Sequence, residues 1–154
     1  MAARRPAERA RWALLAALGV VAGLVVLDGA GFGRDRIWVM LAGPADLGPV
    51  DFATLQPGPY PNHFLVCPPA VCKAGVSHAD APVFAVPASR LMAAVDAVAA
   101  AEPRTRRVDD GTHPLGARYV VRSRVMHFPD TVSVDVVPLG DDRSTLAVYA
   151  RSQL

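Results

Sequence analysis

The sequence predicts an α+β chain: an N-terminal transmembrane helix, then a two-layer domain in which an antiparallel sheet of about four to five strands packs against one helix. Three observations lead there. Residues 12–27, WALLAALGVVAGLVVL, are sixteen positions without a charge. Residues 87–101 repeat their larger apolar side chains at helical spacing, and residues 119–136 alternate apolar and polar side chains with period two.

The apolar run is preceded by Arg4, Arg5, Glu8, Arg9 and Arg11 and closed by Asp28. Sixteen helical residues cover roughly 24 Å, against a hydrocarbon core of roughly 30 Å, so the expected span also draws on residues 29–33 and runs from 12 to 33. Four arginines before it, against Arg34 and Arg36 balanced by Asp35 after it, predict a cytoplasmic tail at 1–11. The remainder is then the periplasmic part of a single-pass inner-membrane protein. A basic stretch before an apolar run also describes a secretory signal peptide, but Asp28 directly after Leu27 is a poor context for cleavage, which favours a retained anchor. Gly19 and Gly23 form a GxxxG pattern on which a helix of another membrane or envelope protein could pack, although small residues are common in such helices.

The charge balance narrows the class of partner. Residues 34–154 carry twelve Lys or Arg and twelve Asp or Glu, so the basic isoelectric point comes from the tail. A neutral domain lacks the clustered positive excess of a nucleic-acid binder, and that class is excluded. The length after the anchor suits one compact domain.

Arg36 to Leu41, with Trp38, reads as a juxtamembrane helical turn stopped by Gly43-Pro44. Gly48-Pro49, Pro57-Gly58-Pro59 and Pro61-Asn62 then deny helix and regular ladder, predicting an extended spacer along the domain surface. Residues 65–72, with Pro68-Pro69 between two cysteines, read as a constrained loop, so 34–80 form turn, spacer and Cys loop, and the core of the domain begins at 81.

Residues 83–86 read as a brief strand. Pro87 starts a helix through Ala101, whose Leu91, Val95 and Val98 recur at i, i+4 and i+7. Glu102-Pro103 ends it, and residues 104–108 are extended. In the next strand Tyr119, Val121 and Val125 share one face and Arg118, Arg122 and Arg124 the other. Around a turn at His127-Phe128-Pro129-Asp130, Val132, Val134 and Val136 face inward, with Thr131, Ser133 and Asp135 outward. A two-residue connection would set Asp135 opposite Arg122 or Arg124. Gly140-Asp141-Asp142 turns the chain into a last strand at 146–149.

Several stretches taken in order resemble the bacterial DUF1499 family: GPADLGPVDFATL at 43–55, PNHFLVCPPAVC at 61–72, APVFAVPASRL at 81–91, EPRTRRV at 102–108, YVVRSRVMHFPDTVSV at 119–134 and STLAVYARS at 144–152. The resemblance covers roughly residues 43–152. It implies an exported or membrane-anchored domain and no established activity. The family pattern continues into a Gly-Tyr-Ser-Asp and Gly-Val-Asn segment, which is not present before Leu154, so nothing of that segment is carried over.

Cys67 and Cys72 are the two cysteines, and in an oxidising compartment they are expected to pair. The alternative is a zinc or copper set of His63, Cys67, Cys72 and His78, whose spacing departs from that of compact zinc knuckles. Arg118, Arg122 and Arg124, with Arg151 and also Arg104 and Arg106, could hold an anion by forked hydrogen bonds, or form a solvated face laced with Asp109 and Asp135. Ser77, His78 and Asp80, or His113 or His127 with Asp130, supply residue types for a hydrolase without a nucleophile elbow. The expectation is therefore a non-catalytic envelope binding or scaffold domain without a cofactor. A small anionic-ligand or metal-binding module is the alternative, and a hydrolase comes third.

Overall fold

The computed structural model describes residues 6–29, 33–56, 62–73 and 77–153. Two helices come first, α1 (Pro6–Gly29) and α2 (Arg34–Ala42), followed by strands β1 (His63–Val66) and β2 (Val83–Phe84) and helix α3 (Ala88–Ala101). Strands β3 (Thr105–Arg107), β4 (Gly116–Arg122), β5 (Pro129–Pro138) and β6 (Ser144–Ser152) complete the chain. Arg4 and Arg5 of the expected tail, residues 30–32 of the expected span and the prolines at 57, 59 and 61 lie outside the described residues.

No helix among the described residues is long and apolar enough to cross a membrane, which overturns the expected anchor. α1 has 24 residues, but Glu8, Arg9 and Arg11 occupy its first turns and Asp28 its end. The sixteen uncharged residues between them cover roughly 24 Å, short of the roughly 30 Å of a hydrocarbon core, and the described part of the helix ends at Gly29. The single-pass inner-membrane placement, with a cytoplasmic N-terminus and a periplasmic domain, falls with the span on which it rested.

Among the described residues the sheet is antiparallel with six strands, one more than the upper expectation, in the order β1-β6-β5-β4-β3. β2 also pairs with β6: Val83 and Phe84 face Thr145 and Ser144, while His63 to Val66 face Arg151 to Val148, so two short strands share one edge. The extra strand is β1, within a stretch expected to be loop. Its four residues end at Val66, just before the Cys67-Pro68-Pro69 sequence that dominated the reading of this segment.

β5 carries two different surfaces because its side chains alternate. Val134 and Val136 join Ala117 and Tyr119 of β4 and Ala88, Leu91 and Met92 of α3 in one core, with Val95 packed against it. Pro87 caps α3 by accepting from the N–H groups of Arg90 and Leu91 through its carbonyl, and Glu102 is extended at the other end. The expected stripe on α3 is displaced: Met92 is buried and Val98 is 66% exposed.

The opposite face is covered as well, so the domain is not a two-layer structure. Thr131 and Ser133, expected to face solvent, are 1% and 5% exposed. Residues 43–56 lie over them, and Phe52 joins Leu65, Cys67, Cys72, Ala147 and Tyr149 in a second core. With few ladder partners for its backbone, this segment is satisfied by side chains on the strands. The Thr131 hydroxyl accepts from Leu47 N–H and donates to the Ala45 carbonyl, and the Arg151 guanidinium donates to the carbonyls of Leu47 and Gly48.

The β4–β5 connection also departs from expectation. Pro129 is not in a turn but opens β5 opposite Arg122, the strand position where a missing N–H is tolerated. Residues 123–128 make the connection: Ser123 N–H donates to the Phe128 carbonyl, Phe128 N–H donates to the Ser123 hydroxyl, and His127 takes a positive φ of 56°. The register that follows sets Asp135 opposite Gly116, away from Arg122 and Arg124.

Candidate functional site

Three of the four expected arginines share the face covered by residues 43–56, and the chain itself occupies each of them. Arg118 donates from Nε and Nη2 to the two carboxylate oxygens of Asp46 at 2.7 and 3.0 Å. Arg122 Nε lies 3.2 Å from Asp35 of α2. Arg151 is committed to the two carbonyls described above. Burial works against ionised Asp46, but hydrogen bonds from Arg118 and the Gly48 N–H outweigh it and hold the carboxyl below its ordinary range. Arg124 lies apart from the other three, exposed in the turn at 124–126. The face expected to meet an anion is an internal seam.

The Cys/His loop is structural in the same sense. Cys67 and Cys72 form a disulfide inside the second core, so neither offers a thiolate to a metal. His63 and His78 meet edge to face with ring centroids 5.3 Å apart, and His78 Nδ1 accepts from the Leu65 N–H. Ser77 donates to the Ala79 carbonyl. Among the described residues no group of three His, Cys, Asp or Glu side chains could hold a metal ion. His127 lies 3.5 Å from Asp35, the carboxylate that also reaches Arg122.

Among the described residues a hollow opens on each face of the sheet. The first is a groove of about 530 Å³ between α3 and the sheet, walled by Phe84, Val95, Val98, Val121, Val132 and Leu146 among others. It exists because one fourteen-residue helix of mostly small side chains cannot cover the apolar face of four strands. Its polar groups are few. Tyr119 donates to Asp96 at 2.6 Å, and burial first, then Asp96, push its phenol well above the ordinary range. Thr105 Oγ1 is buried without a hydrogen-bond partner.

The second is a cleft of about 570 Å³ beside the residues 109–115 loop, bounded by Pro49, Val50 and Phe52. Asp109 anchors that loop: it accepts from Arg107 Nε and from the N–H groups of Gly111 and Arg118, which overcome burial and hold its carboxyl far below the ordinary range. His113 Nδ1 and Asp135 Oδ1 face one another at 3.9 Å over Gly116, where an added Cβ would stand 2.7 Å from each. Burial raises the Asp135 carboxyl, nearby Asp51 adds to the rise, and His113 opposes it.

Sequence reasoning did not reach either hollow. The groove could have been found from the width of the apolar sheet relative to the single helix, and the cleft from Gly116 closing a polar loop. No family model matches this chain, that of the DUF1499 domain included, and no curated protein or solved structure matches it either.

Proposed function

We propose that this chain is a non-catalytic binding domain that takes an aliphatic ligand into the groove between α3 and the sheet. One observation carries the reading: both walls are almost wholly carbon, and Val98 stands 66% exposed on a helix that otherwise sorts its large apolar residues inward. A volume of about 530 Å³ falls in the range of small-molecule sites. The unpartnered Thr105 hydroxyl offers a donor to a polar end group. Binding is favoured over catalysis because Ser133 Oγ has no hydrogen-bonded base, and because the Ser77 hydroxyl donates to the Ala79 carbonyl while His78 Nδ1 accepts from the Leu65 N–H. The arginine face gives less support to an anion site, since Arg118, Arg122 and Arg151 already have partners.

The test is displacement of a dansyl-labelled medium-chain fatty acid by straight-chain alkanoates. Each buried methylene contributes about 0.8 kcal/mol, so two further carbons should tighten binding roughly tenfold until the groove is filled. Val98→Asp and Val121→Asp should abolish the blue shift of the bound probe. A flat response to chain length, or equal binding by these variants, rejects the reading.

A further inference from the structure

The cleft on the other face is independent of the groove, and its free polar groups have a consistent chemistry. Asp109 is occupied by Arg107 and two backbone N–H groups, and Arg118 is occupied by Asp46. What stays available is the Asp135 carboxylate, the His113 ring and the Ser133 hydroxyl. Ser133 is 5% exposed, lines the cleft, and its Oγ has no hydrogen-bond partner. An orphaned hydroxyl at this depth lacks the partner that buried polar groups in folded proteins normally find. Asp135 stands two residues along the same strand, so both side chains issue from one face.

Gly116 is part of the construction. It is the residue directly across from Asp135, and any side chain there would occupy the space in which His113 and Asp135 approach one another. Of the cleft's charged lining, Asp109 is balanced by Arg107 and Arg118 by Asp46, which leaves the carboxylates of Asp110 and Asp135 without an arginine partner. The opening is therefore electronegative, and its unfilled groups accept hydrogen bonds.

We infer that this cleft binds a small organic ammonium ion, with N–H groups donating to the Asp135 carboxylate and to Ser133 Oγ and with its carbon skeleton against Val50 and Phe52. A primary ammonium suits the site because it brings both the charge that the carboxylate attracts and the donors that the hydroxyl lacks. A quaternary ammonium brings only the charge.

The experiment uses the full chain at physiological salt, with n-butylammonium and tetramethylammonium chloride as probes and the His113 ring resonances as the readout. Butylammonium should give a saturable shift, and tetramethylammonium should bind at least about tenfold more weakly, the difference expected for hydrogen bonds to a charged group. Ser133→Ala and Asp135→Asn should each weaken butylammonium by a similar factor, while Asp141→Asn, in the distant β5–β6 turn, should leave it unchanged. No saturable response to butylammonium overturns the inference. So does equal affinity for the two cations, and so does undiminished binding by the two cleft variants. If a variant does not fold, the comparison of the two cations on the native chain decides alone.

Discussion

Arg118 grips both carboxylate oxygens of Asp46 across a sequence separation of 72 residues, and this pair fastens the 43–56 segment to the middle of the sheet. Arg118 is 17% exposed at its side chain, so the guanidinium would be left nearly buried without its partner. Asp46→Ala should destabilise the domain by roughly 1–3 kcal/mol, the scale for stranding one member of a charged hydrogen-bonded pair. Arg118→Met with Asp46→Leu should recover part of that loss. Chemical denaturation of the two variants checks both statements.

The same pair makes a prediction about acid. The folded-state pKa of Asp46 lies below its ordinary value, so its contribution is fully present above that value, near pH 4, and is lost as pH falls through the folded-state pKa. Asp109 behaves alike and more strongly. Asp46→Asn and Asp109→Asn should each flatten the decline of stability below about pH 4. An acid limb unchanged by Asp109→Asn contradicts the role given to that loop anchor.

Asp135 has the opposite sign. Its folded-state pKa is raised, chiefly by burial, so the ionised form costs stability above that pKa, and the cost fades as pH falls toward the ordinary carboxylate value. Asp135→Asn should therefore raise the melting temperature at pH 7 and leave it unchanged near pH 3. The same variant is expected to lose ammonium binding. A gain in stability coupled to a loss of ligand is the signature of a group retained for function.

These relationships explain which parts of the structure were legible in the sequence. The helix at 88–101 and the alternation at 131–136 are local patterns, read directly from the spacing of Leu91, Val95, Val132 and Val134. What covers Thr131 and Ser133 is not local: the partners of that face are Ala45, Asp46 and Leu47, more than eighty residues away for Thr131. Alternation reports that a face is polar, and a polar face reads as solvated unless its hydrogen-bond partners are known. The hairpin register failed for a smaller reason. Proline commonly favours a turn, but Pro129 begins a strand, and the resulting shift sets Asp135 opposite Gly116 and beside His113 instead of opposite an arginine.

The disulfide closes a short loop but sits at the centre of the second core, with Cys67 1% exposed. Cys67→Ser with Cys72→Ser should cost roughly 2 kcal/mol from chain entropy for a loop this small. Burial adds a kinetic statement: mild reductant should not open the native bond at a rate faster than local unfolding exposes it. Thiol labelling that matched hydrogen exchange of the Leu65 and Cys67 amides would agree. Immediate reduction in native buffer would show that the loop opens without the core.

Helix α2 meets the sheet and its β4–β5 connection through Asp35 and Trp38, and Trp38 reports on that contact. Its ring meets Phe128 edge to face at 4.8 Å, and its Nε1–H donates to the Met126 carbonyl at 2.6 Å. At the C-terminal end of the helix the Gln153 amide reaches the carbonyls of Ala42, Gly43 and Pro44, and in its first turn Asp35 reaches Arg122 and His127. Gln153→Ala removes the clamp on the helix end, and Asp35→Ala removes the charge contact. Either should shift Trp38 emission to the red, and both together should do so by more than the sum, because each contact keeps the other in reach. Trp12 supplies the second indole, so the measurement is made on a Trp12→Phe background. The global unfolding midpoint should move little in Gln153→Ala, since among the described residues α2 contributes none to the buried sets of the two cores, and should fall in Asp35→Ala, which strands the 16%-exposed Arg122. A red shift that appeared only with global unfolding would mean that α2 and the sheet are one cooperative unit.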